Sequence, residues 1–192
     1  MNKRIKNIYI VVEGASETQF FARLNSFCRE SEIPFCFKVE NAENHSQAHL
    51  KKALRKAGKK AKADRSVVSK DVFVLLDYDI FKRGENLTPY QERFEHLYFF
   101  EYNFEDFLVA LLPTDKQQLW EAVCKEHRHY EYPMASTTVV AKIQLLFPNY
   151  KKGFCPFPAV TSEHMQRLFC RKFKERIAHV ETLLIEKLGL NQ

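Results

Sequence analysis

The sequence predicts an α/β fold in which a mostly parallel sheet is flanked by helices. Two apolar runs, IYIVV at residues 8–12 and VFVLL at residues 72–76, have the length and composition of strands buried on both faces. Between them lie helical patterns at 17–30 and 50–65, separated by a strand pattern at 35–39. Strands that alternate with helices pair in parallel, so we expect one sheet covered by the intervening helices.

The chain divides into a sheet region and a helical region. Residues 82–93 are polar, contain Gly and Pro, and indicate a loop or insertion. From Phe104 onward the pattern is helical and apolar, and it ends in a helix predicted over 162–188. We therefore expect an α/β domain at 1–110 and, packed on it, a helical C-terminal region at 111–192.

Composition limits the class of protein. The 192 residues are 45% hydrophobic, which is ample for a packed core, and no stretch has the roughly 18 apolar residues of a membrane span. The five cysteines include no CxxC pair and are interpreted as ordinary buried thiols of a reducing compartment. We expect a cytoplasmic protein that does not contact a membrane.

The positive charge of the chain is concentrated in one segment. Residues 50–65 (LKKALRKAGKKAKADR) contain eight basic residues and one acid, so this segment has a net charge of +7. The whole chain has a net charge of +6, so the remaining residues together carry −1. Helical spacing places leucines and alanines on one side and the basic residues on the other. The basic face is either solvated or a surface for nucleic-acid phosphates. The candidate nucleic-acid-binding residues are Lys51, Lys52, Arg55, Lys56, Lys59 and Lys60, with Lys62 beside them.

The first apolar run ends on an acid and a glycine. Glu13 and Gly14 follow the strand directly, and Gly14 is expected to permit a tight turn. Ser16 and Gln19 form an S-x-x-Q pattern that predicts a capping box, so a helix should begin here. Glu13 would then lie at the carboxyl end of a buried strand, where open α/β sheets bind ligands.

The second apolar run also ends in acids. Asp77 and Asp79 stand at i and i+2 and are predicted to point to the same side of a strand. Together with Glu13 they form three carboxylates at one rim of the sheet, a set that favours Mg²⁺, with Mn²⁺ as a substitute. The alternative is that Asp77 or Asp79 only caps the next element.

These motifs resemble a known family. The strand-E-G motif followed by D-x-D resembles the TOPRIM domain of topoisomerases, primases and OLD-family nucleases. VVEGASETQFF, LLDYDIF, the segment NFEDFLVALL at 103–112 and NYKKGF at 149–154 are similar to the motifs of RloB-like proteins. The segment at 103–112 departs from that pattern, because Phe104 follows Asn103 without a proline and Phe107 stands where tryptophan is common.

The resemblance implies roles for individual residues. Glu13 would act as general acid/base or metal ligand, and Asp77 and Asp79 would hold Mg²⁺. The remaining residues that it implicates are Glu17 and Glu105 in support of the site, and Lys152 or its neighbour Lys151 against the charge of the phosphate.

The resemblance also implies a function. It predicts a Mg²⁺-dependent phosphodiesterase, an endonuclease of DNA or of RNA such as tRNA, that serves as effector in bacterial defence against phage. Its partner would be an ABC/SMC-like or OLD-like ATPase acting in trans; whether the chain forms a homo-oligomer is left open. The alternative is a catalytically silent TOPRIM-fold subunit that binds nucleic acid or regulates another protein.

A histidine pair and an aromatic group are expected to pack in the core or to lie at the surface. His45 and His49 have the i, i+4 spacing of a helix, but no acid or cysteine completes a zinc set with them, so a surface or packing role is expected. An aromatic group before and within the 103–112 segment is expected in the core, with base stacking as the alternative. Its members are Phe99, Phe100, Tyr102, Phe104 and Phe107.

Overall fold

A computed structural model of the chain describes residues 5–82 and 84–100, together with Phe104, Leu108, Asp115, Gln118 and Gln144. Eight elements follow one another in the continuous part: β1 Lys6–Val12, α1 Ala15–Glu30, β2 Phe35–Asn41, α2 Gln47–Ala63, β3 Val67–Asp77, α3 Asp79–Lys82, α4 Thr88–Gln91 and β4 Leu97–Phe100. The predicted boundary at 110/111, the helix at 162–188, Glu105, Lys151 and Lys152 lie outside the described residues.

The four strands form one all-parallel sheet in the order β2-β1-β3-β4. This arrangement confirms the predicted α/β fold. The two apolar runs become the central strands because they can be buried on both faces: Val11 and Val12 of β1 and Leu76 of β3 are fully buried. Both strands are longer than predicted, and β3 is extended by five residues towards its amino end and by Asp77 at the other.

The helices α1 and α2 cover opposite faces of the sheet. In the sheet, β2 lies on one side of β1 and β3 lies on the other, so the crossover from β1 to β2 and the crossover from β2 to β3 run in opposite directions. Because both crossovers are right-handed, the helix in each one covers a different face of the sheet. The predicted apolar side of α2 is confirmed, since Leu50, Ala53, Ala57 and Ala61 are buried against alternate residues of β1 and β3. Within the described part of the chain, no helix is long and apolar enough to cross a membrane.

One strand was not predicted. β4 consists of LYFF at 97–100, within the stretch that the sequence assigned to an aromatic cluster, and it extends the sheet beside β3. The expected core role is confirmed for Phe100 and Phe104, which are 1% exposed and whose rings are 5.2 Å apart in an edge-to-face contact. Phe99 packs edge-to-face on Tyr78. The other two members of the cluster, Tyr102 and Phe107, lie outside the described residues.

The predicted start of α1 is wrong in its details. The helix begins at Ala15, so its N-cap is Gly14 and no side chain caps it. Ser16 is buried inside the first turn instead of standing at the N-cap of a capping box. Gly14 has φ −145°, which is extended backbone that any residue adopts, so a tight left-handed turn does not explain this glycine.

The segment predicted as a loop or insertion at 82–93 includes helical structure. It contains the short helix α4, whose Thr88 N–H donates to Oδ1 of Asn86 over 3.0 Å. Tyr90 of this helix is 4% exposed and packs edge-to-face against Phe81 at 5.0 Å between ring centroids. An aromatic anchor therefore ties the predicted insertion to the same face of the sheet that α2 covers.

The prediction of buried thiols holds for one of the two cysteines that the structure describes. Cys28 of α1 is fully buried, whereas Cys36 of β2 is half-buried. Burial raises the pKa of the Cys28 thiol to about 11, because a thiolate loses its hydration in the core. Cys28 therefore stays protonated at neutral pH and serves as a small apolar side chain.

Candidate active site at the carboxyl ends of the strands

The ends of β1 and β3 meet where the sheet reverses its strand order. Val12, the last residue of β1, pairs with Asn41 of β2 on one side and with Leu75 of β3 on the other. The chain leaves β1 towards β2 and later returns to the far side of β1, so the crossovers diverge between β1 and β3. Divergence of this kind opens a crevice outside the carboxyl ends of the strands, which is where α/β proteins bind ligands.

Two predicted acids stand at the ends of these two strands. Glu13 follows β1 directly, and Asp77 is the last residue of β3, two positions beyond the partner of Val12. One carboxylate oxygen of each is shielded from solvent, Oε2 of Glu13 and Oδ1 of Asp77. The fold thus brings two partly buried carboxylates to adjacent strand ends, as the sequence predicted.

The structure corrects the prediction that Asp77 and Asp79 point to the same side because both lie on one strand. β3 ends at Asp77 and α3 begins at Asp79, so the alternation of side chains along a strand does not extend to Asp79. Asp79 remains at the same edge of the sheet by its position in the chain. Its membership of a shared site stays a prediction.

Glu17 lies in the first turn of α1, beside Gly14. Its side chain is 4% exposed, and a Cβ atom added to Gly14 would lie 3.2 Å from Oε2 of Glu17. A contact of that length is tighter than side chains normally make, so the glycine leaves room for the carboxylate. The partial positive charge of a helix N-terminus stabilises an acid at this position.

His45 joins the site, which the sequence did not predict. It lies in the connection between β2 and α2, ahead of the helix, so it does not share a helical face with His49. Nδ1 of His45 is 3.5 Å from Oε1 of Glu13. His49 has the expected surface role, since it is exposed on α2, and its Nδ1 is 3.1 Å from the carbonyl oxygen of Ala42.

The signal that could have identified His45 is topological. The connection after β2 and the connection after β1 emerge at the same edge of a parallel sheet, so a polar side chain in one can reach the other. Spacing along the sequence contains no such information, because Glu13 and His45 are separated by a whole helix and a strand.

Tyr90 of α4 is buried on the face of the sheet that α2 covers. Its pKa is raised chiefly by burial, and further by the negative charges of Glu85 and Glu13. The two negative charges raise the pKa because they repel the phenolate that forms when Tyr90 loses its proton. The segment predicted as a loop or insertion therefore contributes a buried, neutral tyrosine to this face of the sheet.

The basic residues of α2 are confirmed as exposed, but they are not equivalent. Glu40 of β2 is 8% exposed, and it forms ion pairs with Lys56, over 2.6 Å, and with Lys60. Burial alone would raise the pKa of Glu40, but the hydrogen bonds from the two lysines outweigh it and lower the pKa. We call the other four predicted binding residues the cationic surface: Lys51, Lys52, Arg55 and Lys59.

The donors at the crevice fit a hard divalent cation. Among the side chains that the structure describes, no group of three or more His, Cys, Asp or Glu residues could hold a metal ion. Mg²⁺ does not require such a group, since it is commonly held by one or two carboxylates while waters and substrate phosphates complete its shell. Glu13 and Asp77 are carboxylates of this kind, each with one oxygen shielded from solvent, and their sharing of one cation stays a prediction.

Comparisons with known proteins do not add to this site. No protein-family model, curated protein or solved structure matches the chain.

Proposed function

We propose that the chain is a metal-dependent phosphodiesterase that cleaves nucleic acid, a nuclease of the TOPRIM type. The observation that carries the proposal is the position of Glu13 and Asp77 at the ends of adjacent parallel strands, on the two sides of the switch point. Two carboxylates in such a crevice attract cations and repel a phosphodiester. A divalent cation therefore has to accompany an anionic substrate there.

Glu13 and Asp77 would hold Mg²⁺ or Mn²⁺, with Asp79 as a further candidate ligand. When bound, the cation supplies Lewis acidity to the phosphoryl oxygens and lowers the pKa of water. Glu13 orients the attacking water and accepts its proton. Nδ1 of His45, 3.5 Å from Oε1, restrains the Glu13 side chain. Glu17, packed at the N-terminus of α1, fixes the backbone from which Glu13 projects.

A second candidate function rests on a different observation. The cationic surface of α2 does not depend on the carboxylates at the crevice, and it would let the chain bind nucleic acid without cleaving it. The chain would then be a catalytically silent nucleic-acid-binding or regulatory subunit. A dependence of cleavage on Glu13 and on a divalent cation separates the two functions.

Cleavage assays test the proposal. Plasmid DNA, single-stranded DNA and total tRNA are incubated with the protein in Mg²⁺, in Mn²⁺ and in EDTA. We expect cleavage only with a divalent cation, and a loss of at least about 100-fold in Glu13→Gln and in Asp77→Asn, because removal of a metal-binding or proton-accepting carboxylate costs rates of that order.

Glu30→Gln is the matched control for these variants, because Glu30 is an exposed acid at the far end of α1. It should cleave like the wild type. Cleavage that persists in EDTA, or that is equal in Glu13→Gln and Glu30→Gln, would contradict the nuclease proposal.

The proposed nuclease needs control from outside the chain. On the strength of the RloB-like resemblance, we propose an ABC/SMC-like or OLD-like ATPase in trans as that control, in defence against phage. Expression of the chain alone and together with a candidate ATPase of that kind, each with Glu13 or with Glu13→Ala, tests the partnership. Toxicity that depends on Glu13 and that the ATPase does not reduce would contradict it.

A further inference from the structure

The cations of α2 divide into two groups because Glu40 engages only one side of the helix. Lys56 and Lys60 bond to the same buried carboxylate, which neutralises one of their two charges and directs both ammonium groups towards β2. Lys51, Arg55 and Lys59 stand at i, i+4 and i+8. They therefore form a row along the helix, which Lys52 widens.

The cationic surface starts near the acidic crevice. α2 follows the carboxyl end of β2, and His45, two residues before its first residue, contacts Glu13. Lys51 and Lys52 therefore lie in the turns closest to the crevice, while Lys59 lies further along the helix. The distance from Lys51 to Lys59 along the axis is about 12 Å, at a rise of about 1.5 Å per residue.

We infer that the cationic surface holds the backbone of a nucleic-acid strand that passes out of the crevice, and that Glu40 withholds Lys56 and Lys60 from this contact. The inference rests on the nucleic-acid part of the proposed function and specifies its substrate as a polymer. About 12 Å corresponds to three or four phosphates of one strand, which advance by about 3.4 Å each. Four cations on that length match this number of charges.

The chemistry of α2 favours nucleic acid over an anionic membrane. Helices that bind at a membrane surface bury an apolar face among the lipids. The apolar side of α2 is already used, because Leu50, Ala53, Ala57 and Ala61 are buried against the sheet. The exposed side therefore offers charge alone, which suits a phosphate backbone.

The test compares two double variants with the same change in formal charge. Lys52→Gln/Lys59→Gln alters the cationic surface, and Lys56→Gln/Lys60→Gln alters the pair held by Glu40. Binding to a fluorescent 20-nucleotide duplex and to the corresponding single strand is measured in EDTA between 50 and 200 mM salt. The measured quantity is the slope of the logarithm of the binding constant against the logarithm of the salt concentration. For four phosphate contacts, this slope should be about −3.6 for the wild type on the duplex and about −2.8 on the single strand.

The first double variant should lose about 1.8 units of the duplex slope and the second well under one unit, since each lost phosphate contact removes about 0.9. Glu40→Gln releases Lys56 and Lys60 and should make the slope steeper by more than one unit. Circular dichroism checks that each variant is folded, and the pair of double variants decides the question if Glu40→Gln does not fold.

Equal slopes for the two double variants would show that only net charge matters, and would overturn the inference. So would an unchanged slope in a folded Glu40→Gln variant, or equal competition by phosphatidylserine vesicles at the same concentration of anionic charge. Because EDTA prevents metal-dependent cleavage, these results are independent of the nuclease assay. A chain that fails to cleave can still show the predicted difference in slope.

Discussion

At the scale of single residues, the lack of room for a side chain explains the glycine at position 14 better than its backbone conformation does. Its φ of −145° is accessible to any residue, but a Cβ atom would come within 3.2 Å of Oε2 of Glu17. The sequence showed the glycine and the acid three positions later, yet the contact between them depends on where α1 begins. The sequence therefore predicted a tight turn as the reason for this glycine, whereas the structure shows a close approach to Glu17.

Gly14→Ala should separate activity from stability. We expect the free energy of unfolding to change by no more than about 1 kcal/mol, because the extended backbone accepts alanine and the unfolded chain loses entropy. Cleavage should fall by at least about tenfold, a loss of about 1.4 kcal/mol in transition-state stabilisation, as the Glu17 carboxylate is displaced. Urea unfolding and the cleavage assay provide the two measurements.

Gly58→Ala is the matched control for this variant. Gly58 lies inside α2, and a Cβ atom there would meet nothing within 4 Å. Its replacement should stabilise the protein by about 1 kcal/mol, since glycine is a poor helix former, and should leave cleavage unchanged. Gly14→Ala with full activity would contradict the assigned role of the glycine.

Glu40 predicts a dependence of stability on pH. Its pKa is lowered from the usual 4.5 in the folded protein, so its contribution is present above about pH 4.5 and is lost as the pH falls through the folded value. Glu40→Gln should therefore lower the free energy of unfolding by about 1 kcal/mol at pH 7 and by much less at pH 3. A difference between wild type and variant that does not change with pH, measured by urea unfolding, would contradict the ion pairs.

At the scale of elements, the strands that could be predicted are those whose burial is uniform. Residues 8–12 and 72–76 are continuous apolar runs, and only a central position in a sheet buries such runs on both faces. β4 was missed because it has four residues, of which only Phe100 is buried, and because a short aromatic run is compatible with strand or helix. His45 was missed because its contact with Glu13 arises from the crossover between elements.

The exposed edge of β2 is protected by α1. Asn25 accepts from the backbone N–H of Phe37 over 2.7 Å and donates to its carbonyl oxygen over 2.9 Å. Asn25→Ala should therefore destabilise the protein by about 1–3 kcal/mol, since two backbone groups lose their bonds. Gln19→Ala on the exposed side of α1 should change stability by less than about 0.5 kcal/mol. Equal urea-unfolding midpoints for the two variants would contradict this role of Asn25.

At the scale of the whole molecule, the sheet order places the ends of strands that are distant in the sequence side by side. Glu13 and Asp77 are far apart in the sequence, and both stand at the carboxyl ends of adjacent strands because β1 and β3 pair in parallel. The sequence predicted that both acids stand at this edge, since the carboxyl ends of parallel strands share one edge, and their convergence on one cation stays a prediction. The sequence could not predict which basic residues of α2 are held in ion pairs, because that depends on the carboxylate of Glu40 in β2.

The central claim is that Glu13 and Asp77 share one divalent cation. Anomalous diffraction from crystals soaked in Mn²⁺ tests it most directly. The account predicts one peak between the two carboxylates, with metal–oxygen distances of about 2.1–2.2 Å, and its loss in Glu13→Gln crystals soaked in the same way. Carboxylates more than about 10 Å apart, or Mn²⁺ bound only at other residues, would contradict the claim, because a cation with such short bonds could not then be shared.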